Sequence, residues 1–162
     1  LRVPGGKVVQ VPFSSLPTGR FLALQIEATE PIIASVFSSV KGSVSDFAWS
    51  SGSEAINAQN FEAITVPAIG MNLNVYTEDS SVVVEVTTNR KKVNRKNLSG
   101  IDSWKIPSNA RSIRIIPGAK PVFASFSAQD SRGVSAMAIR PVTAIERSAL
   151  PISDSEVLTP RK

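Results

Sequence analysis

The chain contains no cysteine and no histidine. Their absence excludes disulfide frameworks, thiol nucleophiles, zinc fingers, haem ligation through either residue, and every catalytic system that needs an imidazole base. Aromatic residues are sparse at 6%, with Tyr76 the sole tyrosine. No apolar run reaches the roughly 18 residues a membrane-spanning helix needs, and no signal peptide stands at the start. The first residue is Leu1 rather than Met, which we read as the mark of a processed or excised product.

Leucine is also scarce. The 162 residues hold 8 Leu against 32 Val plus Ile. Branched side chains fit a pleated surface better than a helix. The 23 Ser, 9 Gly and 11 Pro supply turn and edge chemistry. Hydrophobic residues reach 42%, enough to bury a core. These features predict an all-β protein, an antiparallel β-sandwich.

Strands are expected at Lys7-Val-Val-Gln-Val11, at Arg20-Phe-Leu-Ala-Leu-Gln-Ile26 and at Pro31-Ile-Ile-Ala-Ser-Val-Phe37. The last is nearly all apolar, as in a strand buried on both faces. In residues 43–49, Val44, Phe47 and Trp49 are expected to point inward. Residues 51–60 are small and polar and read as a connection. Ala63-Ile-Thr-Val66 is a further strand. Met71, Leu73 and Val75 alternate onto one face. Glu78-Asp-Ser-Ser81 reads as a turn, and Val82-Val-Val-Glu-Val-Thr-Thr88 is the clearest strand of all. Residues 101–106, 112–116, 121–126 and 133–139 follow as strands, with one more expected at 140–145. A polar tail closes the chain at 143–162.

Two segments match at an offset of 90: Pro31, Ala34, Ser35, Val44, Ser45 and Ala48 recur as Pro121, Ala124, Ser125, Val134, Ser135 and Ala138. We read this as one and a half tandem units, with a half unit at 1–50 and a sandwich unit at 61–142. A half unit cannot bury its apolar face alone.

Arg2-Val-Pro-Gly-Gly-Lys-Val-Val-Gln-Val-Pro12, then Leu16-Pro-Thr-Gly19, Glu30-Pro-Ile-Ile-Ala-Ser35 and Asp46-Phe-Ala-Trp49 form an ordered set. The set resembles a family of uncharacterised β-rich envelope proteins of actinobacteria, a domain of unknown function. Its members carry a Val-Pro-Gly-Gly start, a Leu-Pro-x-Gly turn, a Pro-Val-Val-Ala-Ala strand and Asp-Phe-Ala-Trp. The resemblance covers residues 1–50 and, more weakly, 110–140. It implies a secreted or cell-surface location and supplies no functional residues.

Charge is uneven. Residues 1–81 carry 4 basic and 7 acidic groups, and residues 82–162 carry 14 and 6, so −3 and +8 give the net +5. The basic excess centres on Asn89-Arg-Lys-Lys-Val-Asn-Arg-Lys-Asn97. Arg90, Lys91, Lys92, Arg95 and Lys96 are candidates for holding an anionic polymer such as a teichoic acid. The same charges would also serve a solvated loop that guards a sheet edge. No aromatic interrupts the run, so base stacking and specific nucleic-acid binding are not expected. Asn97-Leu-Ser99 fits a glycosylation sequon, relevant in a eukaryotic secretory pathway.

Trp49 and Trp104 are candidate glycan-stacking platforms, against the commoner role of packing. Glu27 with Glu30, and Glu78 with Asp79, are the close carboxylate pairs. Neither suggests the cleft geometry of a glycosidase, and the acids are too few for a calcium site. Gly-x-Ser-x-Gly and Gly-x-Gly-x-x-Gly are absent. The expectation is therefore a protein that is not an enzyme and uses no cofactor. It would be a non-catalytic extracytoplasmic module of a bacterial envelope protein, a spacer or adhesion surface whose partner is an anionic wall polymer or another envelope protein. The alternatives are a carbohydrate-binding module and a viral or phage coat protein. Replacing Arg90, Lys91 and Lys92 together with Ser is expected to abolish retention on an anionic resin at low salt, and unchanged retention would mark the loop as merely solvated.

Overall fold

The computed structural model describes residues 2–12, 23–41, 45–57, 63–64, 70–130 and 133–141. The described part is all β, with no helix among those residues. β1 (Ser35–Lys41) and β2 (Ser45–Ser51) form an antiparallel hairpin. The other six strands form one curled antiparallel sheet: β3 (Ala63–Ile64), β4 (Asn72–Thr88), β5 (Val93–Lys105), β6 (Ala110–Pro117), β7 (Val122–Asp130) and β8 (Gly133–Ala138). The order is β3-β6-β4-β7-β8, with β5 on the other edge of β4.

The architecture follows from the length of β4. Seventeen residues at about 3.3 Å each would make a straight strand of roughly 55 Å, too long for one layer of a small domain. β4 bends instead. Its first half pairs β5 and β7, and its second half pairs β5 and β6. Between the pairs Tyr76↔Ile101 and Ser81↔Ser99, four β4 residues stand opposite the single Gly100, whose φ is +60°. Glycine reaches this left-handed conformation without a Cβ penalty. The extra residues switch the parity of the strand. Leu73 and Val75 are buried before the bend, and Val82, Val84 and Val86 after it. Odd positions face the core on one side of the corner and even positions on the other, so both halves present their apolar faces to one interior. Lys96 Nζ donates to Ser103 O at 3.5 Å. Seven residues apart on a straight strand would be roughly 23 Å, so β5 folds over with its partner.

The core joins both layers: Leu98 lies on β5 and Ile106 just after it, Ile113 and Ile115 come from β6, and Val122, Ala124 and Phe126 from β7. Each of these side chains larger than alanine contributes about 1.5–3 kcal/mol on burial. Two polar details mark the fold. Asn74 is buried but satisfied, donating to Ser127 Oγ at 2.8 Å and accepting from Ser103 Oγ at 3.1 Å. Thr77, at the corner, buries a hydroxyl with no partner. After the corner the backbones crowd: a Cβ on Gly118 would lie 2.5 Å from Ser81 O.

Residues 52–57 run from the hairpin onto β7. Ile56 and Val122 exchange both backbone hydrogen bonds, at 2.8 and 2.9 Å, and Ser53 Oγ donates to Ala124 O at 2.9 Å. Ile56, fully buried, completes the core there.

The structure corrects several expectations. Residues 78–81 are not a hairpin turn but part of β4, at its corner. Residues 7–11 and 23–26 form no strand, and residues 31–37 are not a buried strand. Pairing starts only at Ser35, and Ile33 is fully exposed at 103%. Phe47 and Trp49 point outward, at 61% and 60% exposure. Strand-like composition is legible in these segments, but which side is covered depends on a neighbouring layer, and none of the described residues supplies one. Val44 and residues 142–145 lie outside the described residues, and residues 140 and 141 are not strand. The two matching segments both form antiparallel hairpins, in different registers: Ser35 pairs with Ser51, while Ser125 pairs with Ala138.

Phe126→Ala is expected to cost about 3–5 kcal/mol in chemical denaturation, the penalty for emptying a packed aromatic site. Ile33→Ala is expected to leave the midpoint unchanged.

Candidate functional site

The basic segment divides into two parts. Residues 89–92 make the tight β4–β5 turn. Thr88 N donates to Lys92 O and Lys91 N to Thr88 O, both at 2.9 Å, and Lys91 sits at φ 58°. Arg90, Lys91 and Lys92 are exposed at this tip. Asn89 N donates to Asn109 O at 3.0 Å, joining the tip to the β5–β6 connection that leads to Arg111.

Arg95 and Lys96 are not loop residues. Arg95 pairs in register with Glu85, which in turn opposes Arg114 on β6. Arg95 Nε donates to Glu85 Oε1 at 3.1 Å, and a second guanidinium nitrogen makes a closer contact. Arg114 lies 3.7 Å from the other carboxylate oxygen. This outer-face ladder is exposed on both arginine sides and adds at most about 1 kcal/mol. Lys96 reaches over the corner to Ser103 O. Residues 82–120 hold nine basic and two acidic groups, a local net charge of +7.

The second surface is aromatic. Alternation places Phe37 on β1 and Phe47 and Trp49 on β2 on one face. Phe37 is the cross-strand partner of Trp49. Their rings are 5.0 Å apart at 55°, and the Phe37 and Phe47 rings are 5.8 Å apart at 33°, within the range of favourable aromatic pairs. All three are exposed, Phe37 at 46%. Ser35, Ser39, Ser45 and Ser51 share this face by register. The opposite face of the hairpin carries Ala48, Ser50 and Asp46 and turns toward β8. Asp46 Oδ2 accepts from Val134 N at 2.9 Å. A Cβ at Gly133 would collide with that carboxylate. A charged acceptor on an edge amide thus fixes the hairpin to the sandwich.

Trp104 is placed differently from Trp49. It is partly buried and packs against the core. The two tryptophans are not brought together, since β5 and β8 lie on opposite sides of β4 and β7 in the strand order. Phe37, Phe47 and Asp46 were missed as surface residues. The signal for Phe37 and Phe47 was their shared parity with Trp49.

Of the acids considered, Glu27 accepts from Gln25 Nε2 at 3.0 Å, and Glu30 and Glu78 are exposed. Among the described residues no three acidic side chains gather to hold a metal ion. Comparison with family models, with curated proteins and with solved structures finds no match.

Asp46→Ala is expected to release the hairpin from β8. Amide exchange at Val134 should accelerate, with a loss of about 1–3 kcal/mol locally, while exchange in β4 stays slow.

Proposed function

We propose that this chain is a non-catalytic module of an extracytoplasmic cell-envelope protein, acting as a spacer that presents an adhesion surface. The observation that carries the reading is the exposed Phe37–Phe47–Trp49 cluster on a hairpin anchored by Asp46. Contiguous apolar surface in water marks a place where something else docks. Rigid rings on a short hairpin lose little side-chain entropy on contact. The exposed Arg90, Lys91 and Lys92 tip supplies a second, electrostatic contact suited to an anionic wall polymer. Membership of the actinobacterial envelope family, and a secreted or cell-surface location, belong to the same reading and rest on the residue motifs of the first fifty positions.

One feature favours a second reading, a carbohydrate-binding module. Trp49 is an exposed ring flanked by serine hydroxyls, a combination that can stack on a sugar face and hydrogen-bond its rim. Trp104, packed on the core, does not share that role.

Both readings meet in one experiment. In a Trp104→Phe background, tryptophan fluorescence reports on Trp49 alone. Titration with soluble cell-wall glycan is expected to quench or shift it if the face stacks on sugar. Adhesion without a glycan signal would assign the face to a protein partner. Phe47→Ser with Trp49→Ser is expected to abolish retention on whole cell-wall preparations while leaving the unfolding midpoint in place. Retention equal to the parent would sink the adhesion reading.

A further inference from the structure

Residues 23–34 hold a strand sequence without a strand. Leu24, Ile26 and Ala28 alternate with Gln25, Glu27 and Thr29, the pattern of a half-buried strand. Yet the segment joins no ladder and is exposed almost throughout, Ile26 at 59%. It leads directly into β1 at Ser35.

Among the described residues one long strand edge is without a partner. β5, thirteen residues long, pairs β4 on one edge, and no described strand pairs its other edge. An edge of this length is a template for a further strand. Its two halves differ. Near residue 103 the edge is blunted, because Ser103 N donates to Asp102 Oδ1 at 2.7 Å and Ser103 O accepts from Lys96. Residues 93–99 carry no such protection.

We propose that residues 23–30 of one chain add as a strand to the β5 edge, at residues 93–99, of a second copy. Charge complementarity selects the pair. The segment 23–34 carries Glu27 and Glu30 and no cation, whereas residues 89–105 carry six basic groups and one acid. Face parity agrees as well. With Leu24 and Ile26 turned to the interior side beside Leu98, Gln25 and Glu27 fall on the outer side with Arg95. Pro31 ends the added strand, since it has no N–H to donate. The partner is a second copy because the segment leaves from the hairpin held against β8, and β7 and β4 separate β8 from β5. Donating an arm to one neighbour while accepting one from another is a heterologous contact, which closes into a ring or runs on as a filament. This holds whether or not the chain is an envelope module, and it does not use the aromatic face.

The absence of cysteine makes the test clean, because every disulfide must come from introduced residues. Full-length Gln25→Cys chain is mixed with full-length chain bearing Val93→Cys, Asn97→Cys or Ser99→Cys, which sample the register, and the mixture is oxidised. The expected product is a mixed two-chain cross-link at one of the three positions. In light scattering the parent chain is expected to form larger species as concentration rises and to lose them as salt is added. Glu27→Lys with Glu30→Lys should abolish both the larger species and the cross-link. Its unfolding midpoint should match the parent, because the arm lies outside the core. No cross-link at any of the three positions, or a monomer at every concentration, would overturn the proposal.

Discussion

The structure depends on a change of parity in one strand. β4 buries odd-numbered residues before its corner and even-numbered ones after it. Without the extra residues at 77–80 opposite Gly100, a continuous ladder would turn Val82, Val84 and Val86 to the face opposite Leu73 and Val75. One hairpin, β4–β5, therefore supplies strands to both layers, and β6 and β7 pair with different halves of β4. The cost is visible at the corner, where Thr77 buries an unpartnered hydroxyl and Gly118 leaves room for the Ser81 carbonyl. The burial of about a dozen branched and aromatic side chains outweighs it.

The first fifty residues obey a different balance. The hairpin β1–β2 adds small side chains to its inner face and holds β8 through Asp46, so its large rings remain in water. The arm before it carries Ile26, Ile32 and Ile33 exposed to water. Such surface is unfavourable in isolation and makes physical sense when another molecule covers it. Two distinct surfaces emerge: an aromatic face flanked by serines, and an acidic, alternating arm complementary to a basic edge.

Much of the sandwich was legible residue by residue. Met71, Leu73 and Val75, then Val82, Val84 and Val86, then Ile113 and Ile115, and Val122, Ala124 and Phe126 are buried at alternate positions, as a pleated sheet with one covered face requires. The corner was not legible. Glu78-Asp-Ser-Ser81 has the composition of a turn, and local chemistry does not distinguish a chain reversal from a bend within a strand. That distinction rests on Ser81 pairing with Ser99 rather than with a residue of its own strand. The candidate sites divide in the same way. The exposed tip at Arg90, Lys91 and Lys92 could be read from charge alone. The engagement of Arg95 by Glu85 required the register.

The sequence by itself determined the class of structure, because branched residues at a period of two can bury one face only as sheet, and the missing cysteine and histidine excluded the chemistry they carry. Tertiary structure decided which face of each strand is inside. Alternation defines two faces but does not say which one meets a second layer. For Trp104 that layer is the core, and for Trp49, on a hairpin whose other side meets β8, it is water.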